Sequence, residues 1–383
     1  MTLLATSGRR ADSRRLLAAF AVFGVYWGAW GALLPDVKAN LGATEAELGQ
    51  ALLFIPVGSI AAMLSAGRLV DRVGRRAFAP SLLVYALVAP LPGLASSMPA
   101  FIASLVLLGL ASGLLDVVIN ACVSAYEIGT ERRLMGAAHA AFSAGVLPAG
   151  IAVGAARTAG GTPGQVLTVV ALLTAVTALI GMRLNVEVGR SEPGVPAPLG
   201  KPMGLLGVLC ALAFLIEDGM LSWSAIHLEE TLGASAFVGS LGPASLAAAM
   251  VAGRALTQTL SRHVSDRVVV TWSGVLGALG AALVALAPHP AACLFGVIVT
   301  GGAISACAPL IFGLAGRMGG PGQGGRAIAR VTTIAYTGFF VGPPLVGGVA
   351  GVAGLRAGMA AMGVVAVALA FGARRLPSSS GRA

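Results

Sequence analysis

Three carboxylates stand inside long apolar runs of this sequence: Asp116, and the adjacent pair Glu217 and Asp218. An ionisable group in such a place is costly to keep, and the usual reason for keeping it is to carry a proton, hold an ion or bind a polar solute. Asp116 is followed four residues later by Asn120, so on a helix both side chains leave the same face. A carboxyl held away from water can exist with or without its proton, which makes Asp116 a candidate proton carrier with Asn120 as a polar neighbour. The other reading is a structural Asp–Asn hydrogen bond between helices. Glu217 and Asp218 point about 100° apart on a helix, so they cannot both face one cavity fully. At least one is a candidate for the site, against a structural role in the outer leaflet. His139, in Met135-Gly-Ala-Ala-His139-Ala-Ala-Phe142-Ser143, either titrates or packs. Tyr26, Trp27, Trp30 and Trp223 supply aromatic surface, suited either to the wall of an organic-ligand site or to the belt at the membrane interface.

The elements that must position these residues follow from composition. Of 383 residues, 57% are hydrophobic and only 10% charged, against roughly 25% charged in an ordinary globular domain. That excludes a soluble enzyme, a disordered chain and a disulfide scaffold. A membrane-crossing helix takes about 20 apolar residues. Apolar stretches fall near 16–35, 48–66, 77–95, 99–122, 135–155 and 165–182, then near 203–226, 236–253, 268–287, 291–313, 331–350 and 357–373. The expectation is an all-α membrane protein of twelve transmembrane helices. It is divided into a half at 1–182, a polar, Pro-rich cytoplasmic linker at 183–202 and a half at 203–383.

Orientation comes from Lys and Arg. With the N-terminus inside, 22 of the 25 basic residues fall on the cytoplasmic side, and only Lys38, Arg157 and Arg356 fall outside. Both termini are therefore expected in the cytoplasm of a multi-pass protein of the inner membrane. The net charge of +10 is accounted for by this asymmetry, with the lipid bilayer rather than nucleic acid as partner. Ser13-Arg14-Arg15-Leu16-Leu17 has the look of a twin-arginine export signal, but eleven further spans follow it and it reads as the basic flank of the first. The four cysteines, Cys122, Cys210, Cys293 and Cys307, lie in apolar runs without metal-ligand spacing and read as buried small hydrophobes. There is no GxxxxGK[ST], HExxH or GxSxG, so no catalytic residue, metal or cofactor is expected.

Between the second and third stretches the sequence runs Gly67-Arg-Leu-Val-Asp71-Arg72-Val-Gly74-Arg75-Arg76. This resembles the G-x-x-x-D-R-x-G-R-R signature of major facilitator superfamily transporters, matches each specified position, and sits in the cytoplasmic loop where that family carries it. The resemblance implies twelve helices in two six-helix halves. It also implies a gating role for Asp71 at the inner end of the eleventh span, where Arg330 is an additional candidate partner. Arg72, Arg75 and Arg76 either share that role or hold lipid phosphates. Gly113-Leu-Leu-Asp116-Val-Val-Ile-Asn120 resembles the fourth span of the fucose-permease-like branch, which implies proton coupling through Asp116. The first span here has no acid, so sugar specificity does not carry over. Glycine pairs four apart, Gly109/Gly113 and Gly338/Gly342, predict close helix packing.

The function expected is secondary active transport by alternating access, with a site near the midplane between the halves. The protein is read as a monomer moving a small organic solute across the cytoplasmic membrane by proton-coupled symport. The alternative is proton-driven efflux of drugs or secondary metabolites, which the apolar, aromatic cavity candidates would suit.

Overall fold

The computed structural model describes residues 2–188, 201–260, 264–319 and 324–377. Residues 189–200, most of the expected linker, lie outside them, as do Arg262 and His263. In hydrocarbon, every backbone N–H and C=O must be satisfied within the chain, and the elements among the described residues are all helical. In order they are α1 (Thr2–Leu41), α2 (Glu45–Leu52), α3 (Phe54–Val73), a 3₁₀ turn (Gly74–Ala77), α4 (Phe78–Val88), α5 (Leu91–Leu94), α6 (Met98–Thr130), α7 (Met135–Thr158) and α8 (Pro163–Gly181). Then come α9 (Lys201–Ile226), a π turn (His227–Thr231), α10 (Ala236–Leu260), α11 (Asp266–Leu286), α12 (Pro290–Ile304), α13 (Cys307–Met318), α14 (Gly324–Ala335), α15 (Thr337–Ala353) and α16 (Leu355–Ala373).

Among the described residues, eleven helical stretches are long and apolar enough to cross a membrane. The second, Glu45–Leu94, has 50 residues. At 1.5 Å per residue that is about 75 Å, more than twice a hydrocarbon core. It covers two of the stretches expected separately, because the connection between them is itself a helical turn. That turn begins at Gly74, whose φ of +56° lies in the left-handed region that a side chain disfavours.

The chain divides into two compact units: Met1–Ala43 with Phe54–Pro193, and Thr44–Leu53 with Gly194–Ala383. In the first, α1 packs on α7 and α8, α3 on α6, and α4 on α6 and α8. The α1–α7 seam is a backbone contact. A Cβ on Gly24 would stand 1.9 Å from the Phe142 carbonyl oxygen, and one on Gly145 2.1 Å from that of Ala21. Lipid tails are as apolar as leucine, so helices in a bilayer associate through close packing of this kind. The expected Gly109/Gly113 pair does the same against α3, with Cβ positions 2.0 Å from the Ile55 oxygen and 2.4 Å from that of Ser59.

Polar ties fix the ends of this unit. Arg157, its side chain 1% exposed, forks onto Asp36, with Nε 2.7 Å from Oδ2 and Nη2 2.5 Å from Oδ1. Asp12 is buried; its Oδ1 accepts from Arg15 at 2.7 Å and from the Asn185 N–H at 3.2 Å, while Arg15 also donates to the Arg183 carbonyl at 3.0 Å. Thr162 caps α8 in a reciprocal box with Gln165, with Pro163 at the first turn, a sequence arrangement that satisfies two otherwise orphaned donors.

In the second unit, α9 is the central helix, against α10, α13, α14, α15 and α16. The α11 helix lies between α12 and α16, and α2 rests on α15. Here the expected Gly338/Gly342 pair faces α9, with Cβ positions 2.0 Å from the Ala211 oxygen and 2.7 Å from that of Leu215. Asp266 at the start of α11 is ion-paired with Arg317 at the end of α13.

Candidate functional site

Asp116 lies near the middle of α6, and the helix period does what the i, i+4 spacing predicts. The Asn120 amide donates to the Asp116 carbonyl oxygen at 2.9 Å and to its Oδ1 at 3.0 Å. The bond is therefore within one helix, not between two. Both side chains are half-buried. With the amide nitrogen engaged, Oδ2 of Asp116 and Oδ1 of Asn120 remain as acceptors with no hydrogen-bond donor among the described residues. They form a paired acceptor surface that can take a proton or a solute hydroxyl or amine.

Aromatic side chains surround α1 in the same unit. Trp27 is half-buried and meets the Tyr26 ring edge-on at 5.6 Å. Trp30 is 3% exposed and stacked between Tyr26 and Phe101, at 6.4 and 6.3 Å, which makes it a packing residue rather than a belt residue. Tyr85 on α4 joins the cluster 5.2 Å from the Tyr26 ring. Sequence reading did not single out Tyr85 or Phe101, and one aromatic in an apolar run carries no signal of its own. His139 occupies the second turn of α7, exposed, with its ring edge-on to Phe20 at 5.4 Å. Its position is close to a helix end, not at the depth of Asp116.

In the second unit, Glu217 and Asp218 are half-buried on α9, midway along the apolar stretch Pro202–Thr231. Phe214, three and four residues earlier, shares their side of the helix and stacks on Phe339 at 4.5 Å, with Tyr336 and Phe312 at 6.1 and 6.4 Å. An aromatic wall thus adjoins the two acids. Arg254 is half-buried on α10. By sequence it counts as a loop charge, because it is followed by further basic residues, yet it lies inside the apolar stretch Ala236–Thr257. Trp223 is fully buried and donates its Nε1–H to the Pro343 carbonyl at 3.1 Å, so it pins α9 to α15.

The residues of the Gly67–Arg76 signature sit at the end of α3 and in the turn after it. Gly67, Arg72, Arg75 and Arg76 are exposed, while Asp71 and Gly74 are half-buried. A Cβ on Gly67 would meet nothing within 4 Å. A shallow pocket of about 260 Å³ is lined by Val73, Gly74, Arg75 and Arg76 and by Val186, Glu187 and Val188. A larger, apolar groove of about 360 Å³ between α3, α4 and α6 contains none of the candidate residues. Arg330 is half-buried on α14, at the start of the apolar stretch Arg330–Ala353. Among the described residues, no group of three or more His, Cys, Asp or Glu side chains is placed to hold a metal ion.

Comparison with known proteins places this arrangement. Residues 15–265 match the family model of the Major Facilitator Superfamily. An uncharacterised MFS-type transporter of Yersinia pestis is 29% identical over 93% of each chain. The membrane protein MosC of Rhizobium meliloti is 26% identical over 94% of this chain and 88% of its own. Among solved structures, the nucleoside transporter NupG superposes with a TM-score of 0.74 at 15% identity, over 94% of this chain and 97% of its own. A bacterial homologue of the human lysosomal transporter Spinster gives a TM-score of 0.75 at 15% identity, over 96% and 97%. A matched model over more than half the chain, on a helical membrane architecture with the family's loop signature, leads to one assignment: the chain belongs to the Major Facilitator Superfamily and is a multi-pass membrane transporter, not an enzyme.

Proposed function

We propose that this protein is a proton-coupled secondary transporter of a small organic solute, working by alternating access in the cytoplasmic membrane. In this reading it has twelve crossings in two six-helix halves, Glu45–Leu94 counted as two, and both termini in the cytoplasm. The observation that carries the proposal is the Asp116–Asn120 pair, a carboxyl near the middle of a membrane-spanning helix with one oxygen held and the other open. An acid retained at such depth is costly unless it acts, and the D-x-x-x-N run favours the fucose-permease-like branch. Asp116 carries the proton; Asn120, Trp27, Glu217 and Asp218 contact solute or share the proton; His139, Trp30 and Trp223 support the site from further away. Residues 67–76, with Arg330, form the gating element.

The solute class favoured is small and polar. Nucleosides belong in the panel of ligands because a nucleoside transporter shares the fold. Thermal-shift screening of purified protein against sugars, nucleosides, amino acids and drugs identifies the stabilising class, and proteoliposomes then test coupling. Asp116→Asn should abolish accumulation driven by a proton gradient while leaving exchange of bound solute. Accumulation that persists in the variant overturns the assignment. The second reading, efflux of hydrophobic compounds, draws on the aromatic clusters around Trp27 and Phe214, and stabilisation only by bulky hydrophobic cations would establish it.

A further inference from the structure

The apolar groove of about 360 Å³ between α3, α4 and α6 is built as a slot. Its floor is made of small side chains, with Ala62, Ala66 and Ala111 buried, and its rim of larger exposed ones, Leu69, Val84 and Leu110. Ser65 carries the one side-chain hydroxyl on the lining among the described residues, and it is donated to the Ala62 carbonyl at 2.9 Å. A polar solute entering the groove would leave its own hydrogen-bonding groups unmatched, which is costly. The groove suits hydrocarbon.

Its dimensions limit which hydrocarbon. From Ala62 to Leu69 the helix rises about 10 Å, about two-thirds of the ~15 Å of hydrocarbon in one leaflet. A helix from a second copy, about 10 Å across, would fill roughly 800 Å³ over that length, twice what the groove holds. A single acyl chain is thin enough to lie in it. The end of the groove nearest the loop signature carries charge. Arg68 stands three residues beyond Ser65 and Arg72 three beyond Leu69, so both leave α3 on the groove's side, and both are exposed. An arginine stem covers apolar surface while its guanidinium stays at head-group level, and a guanidinium holds phosphate through two parallel N–H donors. Asp71, two residues from Leu69, leaves the opposite side of the helix. Arg75 and Arg76 line the separate pocket with Val186 and Glu187.

We propose that the groove seats one acyl chain of an anionic phospholipid, whose phosphate pairs with Arg68 and Arg72. Burial of the chain supplies affinity that any phospholipid shares, and the two guanidinium groups supply the preference for a net negative head group. The inference stands apart from proton coupling, and its test needs no solute.

The probe is a phosphatidylglycerol with a diazirine on one acyl chain, placed at low density in phosphatidylcholine nanodiscs holding the purified full-length protein. After irradiation the protein is digested and the adducts are located by mass spectrometry. Adducts should concentrate on the facing walls of α3, α4 and α6, Val84 and Leu110 among them. Unlabelled phosphatidylglycerol should compete about 30-fold better than phosphatidylcholine, and soluble glycerol phosphate should not compete. The double variant Arg68→Gln, Arg72→Gln should lose that preference, and Ala111→Phe, which fills the floor, should move the adducts elsewhere. The competition in wild-type protein stands even if a variant fails to fold. Adducts spread evenly around both units, equal competition by the two lipids, competition by glycerol phosphate, or a groove left unlabelled because a second copy covers it overturns the proposal. So does an unchanged preference in the folded double variant.

Discussion

Arg157 shows how differently a single residue can read before and after its neighbours are known. On sequence it is one of three basic residues outside the membrane, a weak exception to a strong asymmetry. In the fold its guanidinium is buried and forks onto Asp36, 121 positions earlier. A bidentate Arg–carboxylate pair is among the stronger polar contacts, and removing one partner strands the other charge. Asp36 keeps 32% of its side chain exposed, so part of that penalty is relieved by water. Arg157→Met should lower stability by about 3 kcal/mol, read as a drop in the thermal midpoint of purified protein. The double variant Asp36→Asn, Arg157→Met should recover a good part of the loss. Equal midpoints for wild type and Arg157→Met would show that the pair contributes nothing. Arg254 belongs to the same lesson. Runs of arginine mark a cytoplasmic loop statistically, yet Arg254 lies inside the apolar stretch Ala236–Thr257.

At the level of elements, glycine separates packing from function. Gly24 and Gly145 hold α1 and α7 at backbone contact, so Gly145→Val must drive the helices apart. We expect it to abolish the monodisperse peak in size-exclusion chromatography. Gly67, inside the loop signature, has open space where its Cβ would be and lies in a helix interior, so Gly67→Ala should keep or raise stability by about 0.5 kcal/mol. A destabilised Gly67→Ala would mean that the position packs against something in another state of the protein. The long apolar runs and the glycine pairs at 109/113 and 338/342 were legible in the sequence because lipid leaves the backbone few alternatives to helices and because small residues four apart make a flat face. The Asp116–Asn120 pair was legible for the same reason of period. Trp30 and Trp223 were not, since indole rings serve interfaces, sites and cores alike. Only the stack on Phe101 and the bond to the Pro343 carbonyl separate those roles.

At the scale of the whole molecule, the number of crossings decides where the termini lie. Eleven stretches satisfy length and hydropathy; if each crossed once, the two ends of the chain would face opposite sides. The 50-residue stretch is too long for one passage; if it crosses twice, as proposed, the total is even and both ends lie on one side. The charge asymmetry favours that reading, because an odd count would carry every basic loop beyond Gly74 to the outer face. The four native cysteines are buried, so a single introduced cysteine is a clean reporter. Arg10→Cys and Pro377→Cys should both resist a membrane-impermeant maleimide applied to intact cells and react once the membrane is opened. Ala159→Cys, in the short connection after α7, should react from outside without opening. If one terminal cysteine reacts in intact cells and the other does not, Glu45–Leu94 crosses an odd number of times and the division into two six-helix halves is lost with it.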